Sequence, residues 1–342
     1  MCTAIACRTK DSYFGRNLDL EYSYEETVTV TPRKFPFCFR KGDRLRSHYA
    51  IIGMAYVKED YPLYYDAANE KGLAMAGLNF PGNAVYQPEK EGFDNIAPFE
   101  LIPWILGQCE NITEAKKLLK RLNPVKIHFS EELPLSPLHW MLSDKTGSLV
   151  IEPATEGLRI YENPAELLTN NPPFEYQMLH LSDYMNLSNQ PIENRLEQCI
   201  SKSGENSACK DEAAGSELLS KYSRGMGAIG LPGDLSSASR FVKAAFTKLY
   251  SVSGTSETES VHQFFHILSS VEQQRGCVEM GKNLYEITIY SSCCNLDKGI
   301  YYYRTYENSR IIGVDMQKEN LEGTRLICYS LLKDTGFPIQ NS

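Results

Sequence analysis

The sequence predicts an α+β layered architecture. Strand-like runs come in groups broken by blocks of helix, without the regular strand–helix alternation of a doubly wound sheet. Hydrophobic residues make up 42% and charged residues 23% of 342, ordinary globular proportions that exclude a wholly disordered chain. At about 100–200 residues per domain, that length admits one large domain or two ordinary ones. It suffices to bury a substantial core without disulfides or metals.

The elements follow in chain order. Residues 3–8 and 13–20 are short apolar-rich runs separated by Thr9-Lys10-Asp11-Ser12, which reads as a hairpin turn. A two-residue loop at Lys10-Asp11 places Asp19 across from Cys2 and Arg16 across from Ile5. A three-residue loop shifts the pairing by one position. Further strands are expected at 26–32, 50–57 and 72–78. Helices are expected over Ala97–Gln108 and Thr113–Leu122, with Thr113 as cap and Pro124 as stop. Strand-like segments recur at 148–153, 157–161 and 166–169. Between Asn186 and Ser223 the chain turns polar and reads as a solvent-exposed excursion or disordered loop. A helical pattern returns at 259–272. Three strands are expected at 284–291, 299–306 and 310–316, joined by turns at Asn295-Leu296-Asp297 and Glu307-Asn308-Ser309. No internal repeat or low-complexity linker interrupts the chain.

Several partner classes are excluded by composition. A net charge of −8 disfavours a nucleic-acid partner held through phosphates. The richest apolar stretch, Ala50 to Val57, falls far short of the roughly 18 residues of a membrane span. The first eight residues lack a basic region followed by an apolar core, so no secretory signal is expected. Ten cysteines then read as reduced thiols of a cytoplasmic protein.

Two motifs are set aside on their context. Gly225-Met226-Gly227-Ala228-Ile229-Gly230 spells the dinucleotide fingerprint, which works only where a strand feeds a tight turn into a helix. Leu231-Pro232-Gly233-Asp234 follows at once, and the segment reads as a glycine-rich loop. His262-Gln263-Phe264-Phe265-His266 places two histidines one helical turn apart. It has Gln263 where a zinc protease needs its glutamate base. Ser260 and Gln263 read as a capping box, and the two phenylalanines as a core-facing pair. No other ligand cluster points to a metal.

The informative position is Cys2. A small residue after the initiator normally permits removal of Met1, which leaves Cys2 with a free α-amine. That amine titrates at about 7.7–8.0, close to the thiol at about 8.5. One residue then carries both a nucleophile and a base able to take its proton. The next strand, Tyr13-Phe14-Gly15-Arg16-Asn17-Leu18-Asp19, returns a cation and a carboxylate beside it. Arg16 would favour the thiolate by Coulomb attraction, and Asp19 could orient the α-amine by a charge-assisted hydrogen bond. Read alone, both would be edge charges of a hairpin.

Together with Met1-Cys2-Thr3 and Phe14-Gly15-Arg16-Asn17-Leu18-Asp19, five further motifs occur in order. They are Asn69-Glu70-Lys71-Gly72-Leu73, Ala76-Gly77-Leu78-Asn79-Phe80-Pro81-Gly82, Leu138-His139-Trp140, Leu168-Thr169-Asn170-Asn171-Pro172, and Gly230-Leu231-Pro232-Gly233-Asp234-Leu235-Ser236-Ser237-Ala238-Ser239-Arg240-Phe241. The whole resembles the choloylglycine hydrolases, the bile salt hydrolases that share a family with penicillin V acylases. The resemblance implies one N-terminal nucleophile hydrolase domain over residues 2–342, a four-layer αββα sandwich with two antiparallel sheets between helical layers. It implies Cys2 as nucleophile, Arg16 and Asp19 in support, and Asn79, Asn170 and Arg240 completing the site. An oxyanion could be met by the Asn170 side-chain amide and the Asn79 backbone N–H. Bile salt hydrolases of the family resemble this chain in having Asn at position 79, where penicillin V acylases often have Tyr.

The same resemblance places Leu18, Tyr65, Phe129 and Leu133 against a steroid, which needs a broad apolar slot. Lys58 stands where relatives can carry an apolar residue. The implied reaction is cleavage of glycine- or taurine-conjugated bile salts through a thioester, with no metal or organic cofactor. Acyl transfer to other amines is expected as a side activity. A penicillin V or other N-acyl amide acylase using the same site is the alternative reading, and a non-catalytic binder of bile acids or amphipaths a second. A homotetramer is also implied, with the excursion around 188–222 as an assembly arm.

Overall fold

A computed structural model describes residues 1–42, 44–191, 224–333, 336 and 339–341. The proposed assembly arm therefore lies almost wholly outside the described residues. Two large sheets, one of six strands and one of eight, organise the rest. In chain order their strands are β1 (Cys2–Arg8), β2 (Ser12–Leu20), β3 (Thr27–Thr31), β4 (Ile51–Lys58), β5 (Tyr61–Asn69), β6 (Ala74–Asn79) and β7 (Leu138–Asp144). They continue with β8 (Gly147–Ala154), β9 (Gly157–Glu162), β10 (Leu167–Leu168), β11 (Ile287–Asn295), β12 (Ile300–Thr305), β13 (Ile312–Asp315) and β14 (Ile327–Ser330). The six-stranded sheet has the order β10-β1-β2-β11-β12-β13, and the eight-stranded sheet β9-β8-β7-β6-β5-β4-β3-β14. Every neighbouring pair is antiparallel.

The hairpin that opens the chain uses the three-residue loop. Arg8 pairs with Ser12, so Leu18 lies across from Cys2 and Arg16 across from Ala4. Period-two alternation then puts Cys2, Ala4 and Ala6 on the same face as Arg16 and Leu18. Both faces of β1 and β2 are covered, so the strands read as nearly continuous buried runs. Gly15 in β2 is required by crowding, because a Cβ there would collide with the Ser292 carbonyl of β11.

Burial sorts the molecule into layers. One cluster joins Ala4, Phe14 and Leu18 of the first sheet to Val28, Val30, Ile52, Met54, Ala76 and Leu78 of the second. The same cluster continues through the six-stranded sheet to helices α4 (Ser237–Tyr250) and α5 (Glu257–Ser269), which supply Phe241, Ala244, Phe264 and Phe265. Helix α3 (Phe174–Leu181) packs on α4. A second cluster packs Trp104, Ile105 and Leu106 of α1 (Leu101–Leu106) against Ile51, Met75, Trp140 and Ile151, the outer face of the eight-stranded sheet. Helix α2 (Ile112–Leu119) extends that layer. Each fully buried Phe or Leu contributes about 1.5–3 kcal/mol, so two such clusters hold the sheets in register.

Several local expectations are corrected. Asn111, not Thr113, caps α2 by accepting from the Glu114 N–H at 3.0 Å, and the helix ends at Leu119. Leu122–Pro124 pairs in parallel with Asp94–Ile96 instead of continuing it. The helix expected over Ala97–Gln108 is a 3₁₀ turn at Pro98–Glu100 followed by α1. The capping box of α5 is Ser256 with Glu259, one turn earlier than Ser260 with Gln263. Gln263 instead donates to the Ser251 hydroxyl at 3.0 Å. His262 and His266 are exposed while Phe264 and Phe265 face the core. Around Gly225–Gly230 the chain forms a loop with a single 3₁₀ turn, and both glycines have positive φ. Among the described residues no strand–turn–helix for a dinucleotide forms there.

Candidate active site

Strand β1 begins at Cys2, so the nucleophile candidate stands at the end of a central strand, 3% exposed. Its backbone nitrogen donates to Asn170 Oδ1 at 2.6 Å. Asn170 Nδ2 donates to the Asn79 carbonyl at 2.7 Å, which ties the end of β6 to the segment after β10. From the helical side, Arg240 in the first turns of α4 reaches the same point. Its Nη1 donates to the Cys2 carbonyl at 2.7 Å and to Thr3 Oγ1 at 2.6 Å, and its Nη2 to Asn170 Oδ1 at 2.8 Å. Arg240 is thus 1% exposed.

Arg16 approaches from the face between the sheets. Its Nη1 donates to the carbonyls of Tyr65 at 3.0 Å and Gly77 at 2.5 Å. Burial alone would weaken its proton affinity, but Cys2, Tyr290, Asp66 and Asp19 outweigh that and hold it firmly protonated. Arg240 lacks such compensation, and burial lowers its pKa despite Asp19 and Cys2. Asp19, fully buried, accepts from Thr288 Oγ1 at 2.6 Å. Burial pushes its carboxyl up, against the pull of Arg240, the terminal amine, Thr288 and Arg16.

Met1 shows the environment of the chain terminus. Its amine donates to the Asp19 carbonyl at 2.9 Å and pairs with the buried Glu286. Burial lowers the pKa of this amine, with Cys2 and Asp19 opposing. The contact to the Cys2 nitrogen itself comes from Asn170, while the Asp19 side chain faces Thr288.

A cavity of about 370 Å³ opens beside Cys2. Arg16, Asn79, Leu18, Tyr65, Phe129 and Leu133 all line it with Cys2. All four residues assigned to the steroid wall therefore converge on one space. Leu20, Tyr24, Tyr56, Leu63, Phe99 and Leu135 extend its apolar wall without having been singled out. Lys58 is not among the lining residues. It forms an ion pair with Glu132, beside Leu133. Arg240 and Asn170 contact the Cys2 backbone without lining the cavity.

Residues 2–329 match the choloylglycine hydrolase family of linear amide C–N hydrolases. The chain belongs to this family. It is 54% identical over 337 residues to the bile salt hydrolase/transferase of Lactiplantibacillus plantarum, across 98% of this chain and 99% of that protein. It superposes on a variant of the conjugated bile acid hydrolase from Clostridium perfringens with a TM-score of 0.87 at 36% identity, over 99% of this chain and 100% of the other. Penicillin V acylase from Agrobacterium tumefaciens shares the fold, with a TM-score of 0.70 at 18% identity over 95% of this chain and 90% of the other. The architecture is the N-terminal nucleophile hydrolase sandwich.

As a choloylglycine hydrolase family member, the chain carries supports around Asn170 whose roles the motifs did not specify. Buried His139 stacks on Phe80 at 4.1 Å and contacts the Thr169 carbonyl at 2.8 Å and Glu152 at 3.1 Å. Glu152 also accepts from the Phe174 N–H at 3.0 Å. Ser237 Oγ accepts from the Asn170 N–H at 2.8 Å. These contacts fix the segment that delivers Asn170. Among the described residues no three His, Cys, Asp or Glu side chains converge as a metal site, and no helix is long and apolar enough to cross a membrane.

Proposed function

We propose that the protein hydrolyses the amide bond of glycine- or taurine-conjugated bile salts, with Cys2 as nucleophile after removal of Met1. The observation that carries this reading is the convergence of Cys2, Arg16 and Asn79 on one apolar cavity with Leu18, Tyr65, Phe129 and Leu133. A steroid fits such a wall, which leaves the scissile carbonyl beside sulfur.

Excision of Met1 turns the Cys2 nitrogen into an α-amine already seated on Asn170 Oδ1. That amine takes the thiol proton as sulfur attacks the carbonyl carbon. The carbonyl electron pair moves to oxygen, where the second Asn170 Nδ2 hydrogen and the Asn79 N–H support the oxyanion. Collapse breaks the C–N bond, and the ammonium returns its proton to the departing glycine or taurine nitrogen. Water then attacks the thioester and gives a proton to the α-amine. The C–S bond breaks and the proton returns to sulfur. Arg16 stabilises the thiolate, and Arg240 and Asp19 hold the strand end from the opposite face. The enzyme is read as cytoplasmic, where its thiols stay reduced, and as a homotetramer.

An amine seated where glycine or taurine has just left can replace water, which makes the enzyme an acyltransferase as well. Orientation is worth several kcal/mol, and about 1.4 kcal/mol changes the partition tenfold. The L. plantarum relative is named a hydrolase/transferase, which supports this side activity.

The test sets glycocholate, taurocholate and penicillin V side by side, with intact mass to establish loss of Met1. Bile salts are expected to be the preferred substrates, and excess phenylalanine is expected to yield a new conjugate. Cys2→Ser should lose nearly all turnover with folding intact. Retained Met1 in active enzyme, near-native activity of Cys2→Ser, or a preference for penicillin V would overturn the reading. New conjugates formed equally by Cys2→Ala would overturn the transfer step.

A further inference from the structure

Behind Arg16 lies a buried carboxylate that the proposed chemistry does not use. Asp66 of β5 is 1% exposed. Its Oδ1 accepts from the Tyr290 hydroxyl at 2.5 Å, and its Oδ2 from the hydroxyls of Tyr301 at 2.7 Å and Ser292 at 3.0 Å. All three donors belong to the six-stranded sheet, whereas Asp66 belongs to the eight-stranded one. The cluster therefore joins the two sheets at one point.

That point is directed at Arg16 in two ways. Ser292 Oγ accepts from the Arg16 backbone N–H at 3.1 Å while it donates to Asp66, so one hydroxyl links the two residues. On β5 the register slips between Tyr64, which faces Ala55, and Asp66, which faces Met54. Tyr65 is the extra residue of this bulge. Bulges redirect groups beside functional sites. Here the Tyr65 carbonyl receives Arg16 Nη1 at 3.0 Å and the residue lines the cavity. A second slip, between Thr288 and Tyr290 of β11, sets Thr288 opposite Asp19 and Tyr290 opposite Leu18. It sends one hydroxyl to Asp19 and the other to Asp66. Arg16 Nε donates to the Asn17 carbonyl at 3.3 Å, and among the described residues Nη2 has no hydrogen-bond partner, so the guanidinium is held by Nε and Nη1 alone.

We propose that Asp66, with Tyr290, Tyr301 and Ser292, is a positioning residue that fixes the Arg16 guanidinium beside Cys2 and so sets the reactivity of its sulfur. The inference rests on Cys2 being the reactive thiol. The groups whose charges act there are Arg16 and Asp19 of β2, Arg240 of α4, the terminal amine with Glu286, and Asp66 with Tyr290 around Arg16. An amide N–H in place of one carboxylate oxygen forces at least one of the three hydroxyls to turn from donor to acceptor, so Asp66→Asn rearranges the cluster that fixes Arg16.

The experiment follows the rate of Cys2 alkylation against pH, mapped by peptide mass, with kcat and KM for glycocholate and a thermal melt. In Asp66→Asn the alkylation midpoint should rise by about one pH unit, because an unanchored guanidinium supports the thiolate less well. The value of kcat should fall about tenfold with KM nearly unchanged. Tyr301→Phe and Tyr290→Phe, which keep the ring volume, should move the midpoint in the same direction by less, and they serve if Asp66→Asn does not fold. A midpoint that is unchanged in the folded variants means that Asp66 is only a fastener between sheets. A midpoint that falls means that it acts merely by cancelling the charge of Arg16. Either result overturns the proposal. Failure of Cys2 to be labelled first in the unaltered enzyme would instead overturn the nucleophile assignment.

Discussion

Asn170→Ala removes three contacts in one step, and their loss can be weighed. The Asn170 side chain accepts from the Cys2 nitrogen at 2.6 Å and from Arg240 Nη2 at 2.8 Å, and donates to the Asn79 carbonyl at 2.7 Å. The two uncharged bonds contribute about 1 kcal/mol each, and the one to the guanidinium about 1.5–3 kcal/mol. Arg240 keeps its bonds to Cys2, Thr3 and Leu235, so the buried cation is not stranded. The expected cost is therefore roughly 3–5 kcal/mol of stability. At about 2–4 °C per kcal/mol for a large domain, the melting temperature should drop on the order of 10 °C.

Catalysis should suffer separately. In the proposed mechanism, loss of one oxyanion donor costs about 10²–10³ in kcat, while the cavity walls proposed to bind the steroid remain. The prediction is a drop of that size in kcat for glycocholate with KM within a few fold. Asn170→Asp separates the two roles of the amide. It keeps the acceptor for the Cys2 nitrogen but turns a carboxylate oxygen towards the Asn79 carbonyl. If donation to the oxyanion is what counts, Asp should be as poor as Ala. A folded Asn170→Ala that turns over within about threefold of the unaltered enzyme would refute the reasoning.

Two further outcomes are expected. Phe129→Ala should raise KM for glycocholate about tenfold in steady-state assays with kcat little changed, because the ring lines the cavity and packs on Phe99 at 5.3 Å. An unchanged KM would place the steroid elsewhere. Glu70 is pushed up by burial, but bonds from Arg33 and the Ala50 N–H outweigh this and hold its carboxyl below the usual range. A depressed folded pKa gives stability that is present above the unfolded value near ~4.3 and is lost as pH falls through the folded one. Urea unfolding should therefore show Glu70→Gln less stable than the unaltered protein at pH 7, with the gap closing in acid. A gap independent of pH would contradict it.

The juxtaposition of Cys2 and Arg16 was legible because they lie on one hairpin, where register and alternation bring both to one face. Only the loop length was open, and the structure selects three residues. Strand β5 gave no comparable signal. Its bulge at Tyr65 breaks the period of two, and the carboxylate at Asp66 reads as polar when it is in fact buried. The cap of α2 was misplaced by two residues because Asn111 and Thr113 both suit the position, and only the contact to Glu114 decides. Arg240 and Asn170 could be placed through their motifs, but their burial depends on α4 and on the segment after β10 meeting at Cys2. His139 lies in a quoted motif, but its role and those of Glu152 and Thr288 depend on partners distant in sequence, which no local pattern reveals.

The placement of the chain terminus makes physical sense of the whole arrangement. An α-amine in water titrates at about 7.7–8.0 and is mostly protonated at neutral pH, which leaves it a poor base. Burial favours the uncharged amine, as it does for the Met1 amine that precedes Cys2. Burying it, however, also buries every group that must position it, and ionised side chains are expensive to desolvate. The fold meets this cost with opposite charges and with hydroxyls that the β11 bulge aims at Asp19 and Asp66. A flexible terminus could not hold such partners within hydrogen-bond distance. In the proposed mechanism, anchoring Cys2 at the start of a central strand therefore does two things at once. It immobilises the sulfur, and it removes from water the amine that must accept its proton.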